Sequence, residues 1–303
     1  MRCGGLGRRL LSAGSSDGLG CLFASISAPS EGRFTATIGD AWLQGATTYG
    51  GLTSALCLEG GRRLLNDSTL SVRSAMITFV GPTGSSVTVD SSVIKRGKSV
   101  GFFQSNLSGE TGRLATSATF VFGKPRKAAV NRSFAAPPPA LPPPLECPTF
   151  FDALGRPGPI FTKNFDARMA KQGRIEATGA EAANWLWVRH VGASDDGGIP
   201  QVAPEVALLA LADMPPPALL PLLPQQGPEP TFPPVSSISW HVNFLNDELP
   251  VAAPGGWWLL ESRAESAKSG YSSQDMALWG GGGGAAAAAG PVLVSRQLVA
   301  VYA

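Results

Sequence analysis

Gly50-Gly51-Leu52-Thr53-Ser54-Ala55-Leu56-Cys57-Leu58-Glu59 opens a helix, and the spacing of Leu52, Leu56 and Glu59 carries it on to about Leu65. Gly60-Gly61 weakens it near its end. A short strand at 34–38 precedes it, and alternating segments follow at 69–80, 86–94, 99–107 and 113–122. Glycine-containing turns separate these segments, at Gly81-Pro82-Thr83-Gly84, Arg96-Gly97-Lys98 and Ser108-Gly109-Glu110-Thr111-Gly112. One helix followed by an antiparallel meander is an α+β layout, with the sheet expected to wrap the helix.

The same order recurs downstream. Residues 185–189 read as a strand and 203–212 as a helix stopped by Pro215-Pro216-Pro217; strands follow at 235–245, 257–267, 271–279 and 292–301. Ile77-Thr78-Phe79 can be laid against Val242-Asn243-Phe244, and Leu114-Ala115-Thr116-Ser117-Ala118 against Leu293-Val294-Ser295-Arg296-Gln297. The repeated order of elements, more than residue identity, argues for a duplication. At 303 residues, two domains of ordinary size are expected. Their predicted bounds are 33–124 and 150–303, joined by a Pro-rich linker at 125–149 and preceded by a tail at 1–32.

The tail is rich in Gly, Ser and Arg, with Asp17 the only acidic residue among the first 30; it reads as a disordered tail or an organelle transit segment. Within the linker, Ala136-Pro137-Pro138-Pro139-Ala140-Leu141-Pro142-Pro143-Pro144 reads as a polyproline II spacer, a composition that SH3 ligands share. The poly-Gly and poly-Ala runs at 280–284 and 285–289 read as an expanded hairpin loop without a function.

A hydrophobic content of 44% is enough for a packed core, and a formal charge of +2 gives no electrostatic case for nucleic acid. No apolar run approaches the roughly 20 residues of a membrane helix, so a soluble protein without a membrane span is expected. Cys3, Cys21, Cys57 and Cys147 are scattered, which supports neither a metal site nor a disulfide framework and points to reduced thiols inside a cell. Without a secretory signal, the N-x-S sequons at Asn66, Asn106 and Asn131 read as chance matches.

Three polar residues stand out in the second half. Asp213 ends the apolar helix Leu209-Ala210-Leu211-Ala212-Asp213; Ser237 lies on the strand Ser236-Ser237-Ile238-Ser239-Trp240; Gln297 interrupts the apolar terminal strand. A carboxylate, a hydroxyl and an amide can together hold one water and direct it at a carbonyl. Each has a plainer reading. Asp213 can be a solvated helix end, although an acid there opposes the macrodipole. Gln297 can face outward; a buried amide would need partners. Gly50-Gly51 offers free N–H groups at a helix start that could polarise a carbonyl, or serves only a tight turn and close packing. Lys95, Arg96 and Lys98 cluster at a turn that reads first as a solvated basic surface.

Other catalytic plans are weaker. Ser237 and His241 are about 13 Å apart along a strand at about 3.3 Å per residue. Gly14-Ser15-Ser16-Asp17-Gly18 has the nucleophile-elbow pattern without a preceding strand, and Gly97-Lys98-Ser99 lacks the first glycine of a P-loop.

Asp40-Ala41-Trp42, Tyr49-Gly50-Gly51, Phe79-Val80-Gly81-Pro82 and Lys95-Arg96-Gly97-Lys98 resemble the first half of the acyl-CoA thioesterase II-like proteins. Trp187-Val188-Arg189, Leu211-Ala212-Asp213, Phe244-Leu245, Trp257-Trp258-Leu259-Leu260, Ser269-Gly270-Tyr271-Ser272 and Ser295-Arg296-Gln297 resemble the second, so that the likeness covers about residues 33–303. The resemblance implies a double hotdog, two antiparallel sheets each wrapped around a central helix, and hydrolysis of fatty acyl-CoA to free fatty acid and CoA without a metal or redox cofactor. It implies that Asp213, Ser237 and Gln297 act on the hydrolytic water. The laid halves put Ser237 opposite Val72 and Gln297 opposite Ala118, which predicts one active site per chain.

There are departures. Tyr49 stands where the family often has His, Ser237 where bacterial members have Thr, and Ser239-Trp240 where they have Asp-His. Hotdog hydratases use a His with a carboxylate, but His190 and His241 are the only histidines and neither lies on a predicted helix. The competing reading is a non-catalytic hotdog protein that binds acyl chains or serves in an assembly. The expected partner is the acyl-CoA substrate, with a homodimer or higher homo-oligomer; the expected location is cytoplasmic, with organelle import left open.

Overall fold

The structure is a computed structural model; it describes residues 18–27, 32–155, 157–176, 179–181, 183–220, 223, 233–247, 249, 252, 255–280 and 290–302. Residues 1–17 of the predicted transit segment, with the nucleophile-elbow pattern up to Asp17, and the poly-Gly and poly-Ala runs from 281 to 289 lie outside the described residues.

In the first half, helix α1 (Leu19–Ser25) precedes strand β1 (Arg33–Thr37), the short strands β2 (Leu43–Gln44) and β3 (Thr47–Thr48), and helix α2 (Gly50–Leu65). Strands β4 (Ser71–Phe79), β5 (Ser86–Arg96), β6 (Val100–Gly109) and β7 (Leu114–Gly123) complete it. The second half has helix α3 (Phe150–Ala153), strands β8 (Phe165–Lys171), β9 (Arg174–Glu176), β10 (Gly179–Glu181) and β11 (Ala183–His190), and helix α4 (Pro204–Ala212). It ends with β12 (Val235–Phe244), β13 (Trp258–Lys268), β14 (Tyr271–Trp279) and β15 (Leu293–Val301). Among the described residues no helix is long and apolar enough to cross a membrane.

Helix α2 has the bounds its pattern predicts. Its Leu52, Ala55 and Leu56 are fully buried. It ends where Asn66 turns into the left-handed region at φ 46° and returns its N–H to Arg62 O, a stop that Asn tolerates better than most residues. Helix α4 starts on Pro204, which has no N–H to leave unpaired, and ends at Asp213 ahead of the proline run.

The expected pair of sheets is instead one continuous sheet of eleven strands, ordered β1-β5-β6-β7-β4-β12-β15-β14-β13-β11-β8. Each half contributes the same internal order, with β8 added at one edge. They join where β4 pairs with β12 antiparallel, Met76 opposite His241. Laying 77–79 against 242–244 matches those same two positions, so the seam is self-complementary, like a two-fold interface enclosed in one chain. The unpaired edge of each half is thereby covered from within.

One apolar core crosses both halves, with Leu52, Leu56, Phe103, Phe120, Val206, Leu209 and Leu260 among its members. A second cluster lies on the other face of the sheet: Trp185, Trp187, Trp257, Leu259 and Trp279. Period-two alternation explains this division, since β11 sends Leu186 and Val188 to the first core and Trp185 and Trp187 to the second.

Three expectations change. Residues 19–25 of the expected tail form a helix that buries Leu19, Leu22 and Phe23. Strand β8 falls in a segment from which no element was expected; it pairs with β11. The Pro-rich linker is docked rather than free. Leu141 packs on the tryptophan cluster, and Trp187 Nε1–H donates to Pro142 O at 2.9 Å. The chain's own aromatic face thus takes the contact that a proline-rich ligand would give to another protein.

Candidate active site

Helices α2 and α4 pack on each other so that the end of α4 meets the start of α2. Asp213 follows the last turn of α4 and its carboxylate accepts the Gly51 N–H. An anion is thereby moved from the negative end of its own helix to the positive end of another. Glycine makes this approach possible. A Cβ on Gly51 would stand 2.4 Å from Tyr49 Oη and 2.7 Å from Ala210 O, and one on Gly50 would stand 3.0 Å from Asp213 Oδ2.

Strands β12 and β15 bring the other two polar residues to the same point. Gln297 faces inward on β15 and is 4% exposed, and its Nε2 donates to Asp213 Oδ1 at 2.8 Å and to Ser237 Oγ at 3.0 Å. Ser237 sits at a register shift in the β12–β15 ladder between Ser237 and Ser239. With Ser237 Oγ accepting from Gln297, its own proton is free to point elsewhere. The three residues singled out from the sequence therefore meet.

All three line a cavity of about 760 Å³, with Gly50, Thr53, Phe79 and Thr116. Phe151, Phe161, Leu220, Ile238 and Pro215 to Pro217 supply apolar wall. Among the described lining residues Asp213 is the only charged one. Burial pushes the Asp213 carboxyl up from 3.8 to about 7, against the Gln297 and Gly51 donors that favour its ionised form. Asp213 keeps partial exposure, and that exposure is to the cavity.

Tyr49, the departure at the helix start, is fully engaged. Its hydroxyl donates to Ala210 O at 2.7 Å and its ring stacks on Phe161, with centroids 4.1 Å apart. Burial first, and the Asp213 charge second, hold its phenol well above the ordinary value, so it remains a donor that ties α4 to α2. Of the Gly50-Gly51 pair, Gly51 offers its N–H to Asp213 and Gly50 lines the cavity.

The sequence reading missed Gln274. It is fully buried on β14, donates to Gln297 Oε1 at 2.7 Å and accepts the Ala218 N–H at 2.9 Å. A signal was present: Ser272, Gln274, Met276 and Leu278 are the alternating buried positions of β14, and Gln274 is the one amide among them.

The matching place in the first half is a second cavity, of about 740 Å³, with Asn66, Val72, Phe122 and Phe244 in its wall. Val72 gives no hydroxyl where Ser237 gives one, and the flanking Arg62 and Arg63 pair with Glu59 and Glu205. Neither histidine reaches the Asp213 cavity. His190 bonds Ala207 O at 2.9 Å, and His241 lies 3.1 Å from Ser74 Oγ. Arg96 of the basic turn donates to Leu65 O at 3.2 Å, capping α2. Among the described residues no group of His, Cys, Asp and Glu could hold a metal ion.

A helix packed on a broad antiparallel sheet, twice in one strand order, with a polar site where the halves meet, is the form of a hotdog protein. The similar solved structures agree. A conserved protein with hot dog fold from Alicyclobacillus acidocaldarius superposes with TM-score 0.74 at 19% identity, over 93% of this chain and 97% of that one. An acyl-CoA thioesterase II from Mycobacterium marinum gives TM-score 0.66 at 15% identity, over 92% and 96%. The tesB protein of Mycobacterium avium subs paratuberculosis gives 0.67 at 13%, over 92% and 96%. At these identities the likeness carries the fold. Among curated proteins none matches the chain. The acyl-CoA thioesterase N-terminal domain matches residues 38–123 and the acyl-CoA thioesterase C-terminal domain residues 144–301. The chain belongs to the acyl-CoA thioesterase family, and that membership supports thioester hydrolysis in general.

Proposed function

We propose that this chain is a double-hotdog hydrolase that cleaves fatty acyl-CoA to free fatty acid and CoA, with one active site per chain. The observation that carries the reading is the contact of Gln297 with both Asp213 and Ser237 at the wall of a cavity in which Asp213 is the only charged residue among the described lining. In this reading Asp213 takes a proton from a water, which attacks the thioester carbonyl. Ser237, whose hydroxyl proton is free, holds that water while Gln297 fixes Ser237 and Asp213 in place, and the Gly50 N–H faces the oxyanion of the tetrahedral intermediate. Collapse of the intermediate breaks the C–S bond, and the proton held by Asp213 passes to the departing CoA thiolate. A carboxyl near pH 7 suits both transfers: ionised often enough to accept a proton, and acidic enough to return it to a thiolate.

The apolar part of the wall, with Phe151, Phe161, Leu220 and Ile238, suits the acyl chain. A homodimer is a further part of the proposal. The outermost strands of the sheet are β1 and β8, their outer edges bonded in part by Ser27 and by Pro148, and sedimentation as a monomer alone would count against a dimer. The test of the reaction is release of free thiol from saturated acyl-CoAs of graded length by the wild type and by Asp213→Asn. Turnover by the wild type and loss of it in the variant are expected.

A further inference from the structure

Gln297 is useful to the proposed reaction only one way round. A side-chain amide can be turned over with little change of shape, which exchanges its donor and acceptor ends. Turned over, Gln297 would present its oxygen to the Asp213 carboxylate and its N–H groups to Gln274. What holds it lies deeper. The Ala218 N–H can only donate, and it points at Gln274 Oε1 at 2.9 Å. That fixes Gln274 Nε2 toward Gln297 Oε1 at 2.7 Å, which in turn fixes Gln297 Nε2 toward Asp213 and Ser237. The polarity of the whole chain of bonds is set by one backbone amide.

Ala218 is itself held on its other side, since its carbonyl accepts Asn184 Nδ2 at 3.0 Å. It lies in the turn that follows Asp213, so the stretch that carries the carboxylate also sets the direction of the amide facing it. Gln274 is 0% exposed and does not line the cavity. It meets neither substrate nor water there, and acts through Gln297.

We propose that Gln274 is a positioning residue that fixes the side-chain amide of Gln297 with its N–H groups toward Asp213 and Ser237. Its catalytic consequence rests on the hydrolase reading above; its effect on the Asp213 carboxyl does not.

Gln274→Met keeps nearly the same volume and removes both bonds. In the full-length protein kcat falls about 10-fold, the loss of one well-made hydrogen bond, while KM stays within about twofold. The acid limb of the pH–rate profile moves to higher pH, because ionised Asp213 loses a fixed donor. A merely structural role would lower Tm and leave kcat and the pH profile of the folded enzyme unchanged; that result overturns the proposal. Titration of the Asp213 carboxyl by 13C NMR, assigned with Asp213→Asn, separates the two failures. If no acyl-CoA is turned over but the titration still moves upward in Gln274→Met, the hydrolase reading fails and the positioning stands. If turnover is present and the titration does not move, the positioning fails. Should the variant not fold, the wild type decides. Side-chain amide protons of Gln274 and Gln297 are both protected from exchange if the relay exists, and an unprotected Gln274 amide contradicts it.

Discussion

Gln297 Nε2 reaches Asp213 Oδ1 at 2.8 Å and Ser237 Oγ at 3.0 Å from a strand that follows Asp213 by more than seventy residues. The last strand of the chain thus completes a site begun at the end of α4. Gln297→Ala removes the donor and leaves the carboxylate with the Gly51 N–H. The expected kcat loss is about 10- to 100-fold, for one or two hydrogen bonds, one of them to a charged group. The midpoint of the pH–rate profile should rise above about 7, the value the Asp213 carboxyl has with Gln297 in place. An unshifted profile would separate Gln297 from Asp213.

Asp213 also makes stability depend on pH in an unusual direction. Its folded value of about 7 lies above the 3.8 of an unperturbed carboxyl, so between these the folded state holds more protons than the unfolded one. Stability contributed by the protonated form is complete below 3.8, declines as pH rises to about 7 and then levels off. The full penalty above neutrality has an upper limit on the order of 4 kcal/mol, since the carboxyl still reaches the cavity. Asp213→Asn escapes it. Melting at several pH values should show the variant near the wild type at pH ~4 and more stable by pH ~8, the window these two values set; equal stability throughout would contradict it.

The two glycines at the start of α2 should separate stability from activity. Gly51→Ala places a Cβ against Tyr49 Oη and the Ala210 backbone, which cannot yield cheaply, at an expected cost of about 1–3 kcal/mol. Gly50→Ala meets Asp213 Oδ2 at 3.0 Å and Phe79 Cε1 at 3.1 Å, both side-chain atoms. They can shift, so Tm should change little while kcat falls with the displaced carboxylate. Denaturant melts and steady-state rates on both variants check the contrast.

The docked linker predicts a change in protease sensitivity. Trp187→Phe deletes the hydrogen bond to Pro142 O, at a cost of about 1 kcal/mol. Cleavage within 124–143 under limited proteolysis should quicken while the catalytic rate of the intact enzyme holds. Unaltered cleavage would mean that Trp187 does not fasten the linker.

What could be read from the sequence was what depends on local pattern. Helix α2 was visible from Leu52, Leu56 and Glu59, and β14 from its alternation, with bounds at Tyr271 and Trp279. Asp213, Ser237 and Gln297 were visible as polar residues out of place on apolar elements. The seam was not, because nothing local in Ser71–Phe79 says that its free edge pairs with Val235–Phe244 of its own chain rather than with another. Strand β8 carries Asp, Arg and Lys beside Phe165 and Met169, a mixture that hides the period of an edge strand. Gln274 was overlooked for a different reason: its importance lies in its contacts with Gln297 and Ala218, which only the assembled sheet supplies.

The central claim is that Asp213, held by Gln297, activates water against a thioester. Its most direct measurement is the pH dependence of free-thiol release from acyl-CoA by wild type and Asp213→Asn. The expected result is a wild-type rate that rises with pH through a midpoint near 7 and a variant slower by about 1,000-fold or more, the loss of a general base. A variant as fast as the wild type, or a wild type inactive at every chain length, would contradict it.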